Sequence, residues 1–175
     1  MTACEIFEAI TGSGSSDFAT LVAILNSRGA WCLIGGLAVN CYVEPVYTLD
    51  ADIVVTASKL SEIRDDLIRA GFSVDEFLHS LNATMPKSDL RIQFTLDARY
   101  QDFVNDTKPY EVLGQQVPVA SLQNIVTGKI WAWSDQSRRL SKRKKDELDL
   151  IRIAETYPDF RDAMPGEISQ QLGQS

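Results

Sequence analysis

The chain has 175 residues with 17 Lys plus Arg against 24 Asp plus Glu, a formal net charge of -7, and is 45% hydrophobic and 23% charged. That length predicts one domain that buries roughly 70% of its unfolded surface and needs no disulfide or structural zinc, and the composition excludes disorder and low complexity. No apolar run approaches the roughly 18 residues of a membrane span. The N-terminus, Met1-Thr2-Ala3-Cys4-Glu5, lacks the basic and apolar stretches of a secretory signal.

In chain order, Thr11-Gly12-Ser13-Gly14-Ser15 reads as a loop, and without a following Gly-Lys-Ser/Thr it is not a Walker P-loop. A helix follows from Ser16, a candidate N-cap, with Phe18, Leu21, Val22 and Leu25 on one face, ending at Gly29. Trp31 to Ile34 is a short apolar strand running into Gly35-Gly36. Leu37 to Tyr42 is a short helix that stops near Pro45, and Tyr47 to Val55, rich in Ile, Val and Thr, is the clearest strand. Ser58 to Ala70 is an amphipathic helix with Leu60, Ile63, Leu67 and Ile68 inward, closed by Gly71. Asp89 to Asp97 alternates, with Leu90, Ile92, Phe94 and Leu96 on one face and Asp89, Arg91, Gln93, Thr95 and Asp97 on the other. Val117-Pro118-Val119 reads as an edge strand, because proline cannot donate to a central ladder. Ser121 caps a helix carrying Leu122, Ile125, Val126, Ile130 and Trp133, a second helix runs from Ser141 to Tyr157, and the polar tail after Pro165 is expected to be loosely held. The order predicts an α+β (mixed α/β) fold: a small mixed β-sheet with helices on one side and a helical C-terminal part. Residues 1–116 form the core and 117–175 the helical part packed on it, as one compact unit.

Cys4, Cys32 and Cys41 are odd in number, lack C-x-x-C spacing and accompany one histidine, His79. A disulfide framework, a Cys/His zinc site and a Ser-His or Cys-His triad are all disfavoured, and a reduced, cytoplasmic protein is expected. Arg138, Arg139, Lys142, Arg143, Lys144 and Lys145 place six of the 17 basic residues in one short window, leaving 11 for the rest of the chain against 24 acidic residues. Such a window reads either as a solvated helix start balanced by Asp146, Glu147 and Asp149, or as the place where a phosphate-bearing ligand is met. Trp31, Trp131 and Trp133 read as packing residues, and Arg99 and Tyr100 either contact ligand or cover the sheet.

The chemistry-bearing segment is Gly35-Gly36 followed by Asp50-Ala51-Asp52. Strand positions two apart share a face, roughly 6.5–7 Å apart along the chain, so the two carboxylates can hold a hard cation such as Mg²⁺ that keeps water and phosphate in its other positions. Adjacent like charges on a strand are costly unless a cation compensates them. Glycines between a strand and a helix allow close backbone approach, and free amides there bind phosphate oxygens.

On these residues the chain resembles the nucleotidyltransferase superfamily of the DNA polymerase β-like fold, and more closely its small bacterial AbiEii/AbiGii toxin-type branch. The resemblance runs from Gly35-Gly36 through Thr48-Leu49-Asp50-Ala51-Asp52, then to Val117–Leu122 with Lys129, and to Ser141–Asp146 with Asp149; it spans Trp31 to Tyr157. It implies Mg²⁺ (or Mn²⁺) on Asp50 and Asp52, and nucleotide binding by Gly35, Gly36, Thr48, Lys129, Lys142, Lys145 and Asp146. The donor is an NTP, the acceptor a hydroxyl of RNA (a tRNA-like 3′ end) or of protein, and a cognate antitoxin is the implied partner. The chain departs from the pattern on the third strand. Where the family supplies a third carboxylate, the central polar-face position is Gln93, whose amide can ligate a metal but cannot act as a base. Asp89 and Asp97 share that face but lie four residues away, roughly 13 Å along a strand. A catalytically degenerate module that binds nucleotide or a partner without turnover is therefore the alternative.

Overall fold

In the computed structural model, residues 11–173 are described. Helix α1 (Gly14–Asn26) buries Phe18, Leu21, Val22 and Leu25 as the period predicts. It starts ahead of Ser16, because the Thr11 hydroxyl accepts from the Gly14 N–H at 3.0 Å and the Ser13 hydroxyl donates to Asp17 at 3.0 Å. Strand β1 (Trp31–Ile34) is buried throughout, and the Trp31 indole N–H donates to Asn26. Helix α2 (Gly35–Val39) begins at the glycines themselves and is shorter than the Leu37–Tyr42 expectation. Strand β2 (Asp50–Val55) is also shorter than expected. The chain before it is held as a loop, with the Asn40 amide donating to the Val46 carbonyl and accepting from its N–H.

A 3-10 turn (Ala57–Lys59) leads into α3 (Leu60–Arg69), which buries Ile63 and Leu67. Ile68 is not inward: it is 50% exposed, lying five residues past Ile63 and so about 140° round the helix. Strands β3 (Ser73–Glu76) and β4 (Ser80–Thr84) form a hairpin that the polar sequence does not announce. Strand β5 (Arg91–Thr95) buries Ile92 and Phe94, but Leu96 lies beyond its last rung and is 39% exposed.

After a 3-10 segment (Ala98–Asn105), β6 (Thr107–Val112) and β7 (Gln115–Ala120) form a second hairpin. Leu113 and Gly114 turn it with φ of 48° and 78°, the paired positive values of a tight two-residue hairpin turn. The sheet order is β3-β4-β5-β2-β1-β7-β6. Strand β7 is thus not an edge strand: it lies between β1, its parallel neighbour at Leu33–Val119, and β6, where Pro118 faces Pro109. Since β7 belongs to the sheet, the helical part starts at Ser121, whose hydroxyl caps α4 (Leu122–Ser134) by accepting from the Asn124 N–H.

Helix α5 (Leu140–Thr156) packs on α4, and both touch α2. The tail is not loose: after a 3-10 turn (Pro158–Ala163), α6 (Gly166–Leu172) packs on α5 with Ile168 fully buried and Leu172 nearly so. Phe18, Leu33, Ile53, Phe94, Val119 and Leu150 lie in one continuous apolar core. Cys32 and Cys41 are free, and burial pushes their thiols up to about 12 and about 11; Cys4 lies outside the described residues. No helix among the described residues is long and apolar enough to cross a membrane.

The two isoleucines set a paired test. Ile168→Ala should lower unfolding free energy by about 2–5 kcal/mol, whereas Ile68→Ala should stay within about 0.5 kcal/mol of the parent, both read from urea denaturation.

Candidate active site

Pairing of β1 with β2 places Ile34 opposite Asp52, so the chain turns at Gly35 directly beside the carboxylate. Gly35 has φ +71°, and a Cβ built there would lie 2.0 Å from Asp52 Oδ2. The Asp52 carboxylate occupies the space that any side chain at position 35 would need. Gly36 is less constrained: its Cβ would meet Thr48 Oγ1 at 3.4 Å. Buried Thr48 in turn accepts from the Asp50 N–H at 3.3 Å. The two glycines, Thr48 and the aspartate pair are therefore one interlocked unit. Helix α2 has only five residues, so individual amides at the turn, not a helix macrodipole, are what it offers a phosphate.

The two carboxylates differ electrically. Burial opposes the charge on Asp50, but Lys142, Arg91 and Lys145 outweigh it and hold the carboxyl below its ordinary value. Lys142 Nζ sits 3.2 Å from Asp50 Oδ2 and Arg91 Nε 2.7 Å from Oδ1. Asp52 is pushed up to about 6, by burial first and by the charge of Asp50 as well, with Lys129 pulling the other way. Two adjacent carboxylates, one poorly compensated, are a donor set that a hard cation completed by water and phosphate fits.

Register settles the third strand. Asp50 pairs with Arg91 and Asp52 with Gln93 on parallel β5, so Gln93 stands beside the aspartate pair. Asp97 does not reach it: its carboxylate caps the Arg99 N–H at 3.0 Å and binds the Arg99 guanidinium at 2.6 Å. Asp89 lies ahead of β5, its N–H donating to the Thr11 carbonyl. Beyond Gln93 the next residue across is Asn82, whose buried Oδ1 has no partner among the described residues.

Helices α4 and α5 close the cleft. Lys129, 9% exposed, pairs with Asp146 at 2.9 Å and Asp149 at 2.7 Å. Burial disfavours its charge, but the two carboxylates more than offset this and raise the ammonium above its ordinary value. Arg138 also binds Asp146, at 3.1 Å, and Arg152 binds Asp149, at 2.8 Å. Lys129 and Asp146 are thus bound to each other at the cleft wall, while Lys142 and Lys145 line the part of the cleft that holds Thr48 and Asp50.

Two adjoining cavities meet at Asp52, Gln93, Lys129, Arg138 and Asp146. One, of about 140 Å³, adds Gly36, Tyr47, Thr48, Asp50, Lys142 and Lys145. The other, of about 130 Å³, adds Ile34, Gly35, Thr95, Tyr100, Phe103 and Asn124. All ten residues singled out in the sequence line this cleft. Sequence reasoning missed Arg91 and Arg138, which it held only as a polar-face residue and as one of a basic window. Trp31, Trp131 and Trp133 are packing residues as expected: Trp131 stacks on Phe103 with Arg99 over its ring, and the Trp133 N–H donates to Glu147.

No protein-family model matches the sequence, and none of the curated proteins matches it. Among solved structures, the chain is similar to the antibiotic-resistance factor ANT(2'')-Ia at TM-score 0.55 and 14% identity, over 85% of this chain and 91% of that one. It is similar to a nucleotidyltransferase-like antigen of Paracoccidioides brasiliensis at TM-score 0.55 and 17% identity, over 94% and 88%. It is also similar to the lincosamide antibiotic adenylyltransferase LnuA at TM-score 0.52 and 13% identity, over 76% and 92%. The chain has the fold of these nucleotidyltransferases.

Gly35→Ala should abolish Mn²⁺ binding in a calorimetric titration and destabilise the fold by more than about 1 kcal/mol, while Gly36→Ala should keep both within error of the parent. Lys129→Met, which removes the cation shared by Asp146 and Asp149 and leaves each to a single arginine, should cost about 1–3 kcal/mol in urea denaturation.

Proposed function

We propose that the protein is a Mg²⁺- or Mn²⁺-dependent nucleotidyltransferase that moves an NMP from an NTP to an acceptor hydroxyl. The observation that carries this is the seating of the Asp52 carboxylate in the space left by Gly35, beside Asp50 and opposite Lys142 and Lys145. Asp50 and Asp52 hold the cation, which when bound neutralises charge on the triphosphate and the leaving group. Amides of the Gly35-Gly36 turn and the Thr48 side bind phosphate oxygens. Lys142, which rests on Asp50, and Lys145 take up the remaining negative charge. The acceptor oxygen forms its bond to the α-phosphorus as the bond to the β-phosphate breaks and pyrophosphate leaves. Gln93 cannot take the acceptor proton, so that proton passes to water.

The acceptor we favour is a hydroxyl of RNA or protein, as in the AbiEii/AbiGii toxin-type branch that the motifs resemble. The protein then serves as the toxin of a toxin–antitoxin or phage-defence pair, with a cognate antitoxin as partner. ANT(2'')-Ia has been solved with adenylyl-2''-tobramycin and LnuA with lincomycin, which adds small hydroxylated molecules to the acceptors to be tried. Free thiols at Cys32 and Cys41 support work in a reducing, cytoplasmic setting. Gln93 favours one alternative: a module that binds nucleotide or a partner without turnover.

The test is label transfer from each α-³²P NTP with Mg²⁺ or Mn²⁺, offered RNA, cell extract and small hydroxylated acceptors. Label should enter a discrete product and disappear with Asp50→Ala plus Asp52→Ala. Metal-dependent nucleotide binding without transfer to any acceptor would support the non-catalytic module. Tight NTP and metal binding by the double variant would contradict the site.

A further inference from the structure

We infer that the cleft holds one divalent cation and not two, because Arg91 and Gln93 occupy the places that a second ion requires. The inference rests on the nucleotidyl-transfer reading above. In two-metal transfer the ions lie about 3.5–4 Å apart, and a carboxylate that bridges them with one oxygen on each needs both oxygens free. Asp50 has one oxygen taken: its Oδ1 is bound by Arg91 Nε at 2.7 Å, and strand register sets Arg91 directly across from Asp50, with a side chain that is 59% exposed. A guanidinium keeps its charge at any relevant pH and holds its donors in a rigid plane. The other oxygen is held by Lys142, 41% exposed on a different helix and free to move to a phosphate. Asp50 is left with one oxygen to give, and Asp52 with its carboxylate.

The row across the sheet points the same way. Beyond Asp52 it continues through Gln93 to Asn82, two neutral amides where a further carboxylate would have to stand. The Asn82 Oδ1 has no donor among the described residues, so the two rungs next to Asp52 offer neutral acceptors, and the row's next carboxylate, Asp75, stands one strand further on. Across the cleft, Asp146 and Asp149 are already engaged by Lys129, Arg138 and Arg152. Among the described residues no group of three or more His, Cys, Asp or Glu is placed to hold a metal. A second divalent ion would meet a guanidinium and two amides; the first meets two carboxylates. Arg91 is then a positioning residue: it supplies a permanent cation where a two-ion site would use a metal, and turns the remaining Asp50 oxygen to a single ion.

The experiment counts ions without relying on turnover. The full chain is saturated with an α,β-methylene NTP analogue, Mn²⁺ is titrated, and bound Mn²⁺ is measured by equilibrium dialysis and by electron paramagnetic resonance, with a nucleotide-only blank. One magnetically isolated Mn²⁺ per chain is expected, rising to two spin-coupled ions in Gln93→Asp, and in Gln93→Asp with Arg91→Gln, each checked for native circular dichroism. Two coupled ions in the parent would overturn the inference while leaving nucleotidyl transfer standing. Folded variants that all remain at one ion would also overturn it, since Arg91 and Gln93 would then not set the count. No protein-bound Mn²⁺ in the parent would instead overturn the nucleotidyl-transfer reading on which it rests.

Discussion

The site depends on a side chain that is absent. Asp52 places its carboxylate where a Cβ on Gly35 would stand, and Gly35 can turn there because it alone tolerates φ +71° without strain. That contact ties the end of β1 to β2, starts α2, and sets Gly36 against Thr48, which fixes the Asp50 amide. Everything else in the cleft is arranged round a pair of carboxylates held at a backbone turn. Burial and, less strongly, the charge of Asp50, which push Asp52 up to about 6, are a local cost that a bound cation relieves.

Charge is distributed in two layers round this pair. At the cleft wall, Lys129, Arg138, Arg152, Asp146 and Asp149 neutralise one another and lock α4 to α5. Above the strands, Lys142 and Lys145 act on Asp50 from α5, and Lys142 is half in solvent. The basic window that stands out in the sequence therefore divides. Arg138 binds Asp146, Arg143 donates to the Trp133 carbonyl and Lys144 pairs with Glu147, so these are structural, and Lys142 and Lys145 carry the charge facing the cavity. Direction, not burial, separates the two sets: Lys144 is more exposed than Lys142 but pairs within its own helix, whereas Lys142 and Lys145 point to the cavity.

The parts of the fold that were legible have strong periods or special residues. Phe18, Leu21 and Leu25 announce α1, Ile92 and Phe94 announce β5, and Ser121 marks the start of α4. The β3–β4 hairpin was not legible, because β3 reads Ser-Val-Asp-Glu and buries none of its four side chains. Strand β7 was misplaced at the edge because Pro118 argues against a central strand, yet β6, with a proline of its own opposite, lies outside it. The last helix was missed because only Ile168 and Leu172 carry its apolar face. At the site, Gly35, Asp50 and Asp52 could be read from spacing, and Gln93 from the family resemblance applied to the alternating third strand. Arg91 on Asp50 and Arg138 on Asp146 could not, since register and interhelical pairing lie outside what local pattern encodes.

A crystal structure with Mn²⁺ and a non-hydrolysable NTP analogue tests the central claim most directly, that the Gly35–Asp52 contact builds a cation and triphosphate site. An anomalous Mn²⁺ peak at Asp50 and Asp52, phosphates against the Gly35-Gly36 turn, and Lys142 moved from Asp50 onto a phosphate oxygen are expected. Nucleotide bound away from the aspartates, with Lys142 still on Asp50 and no Mn²⁺ beside them, would contradict the account.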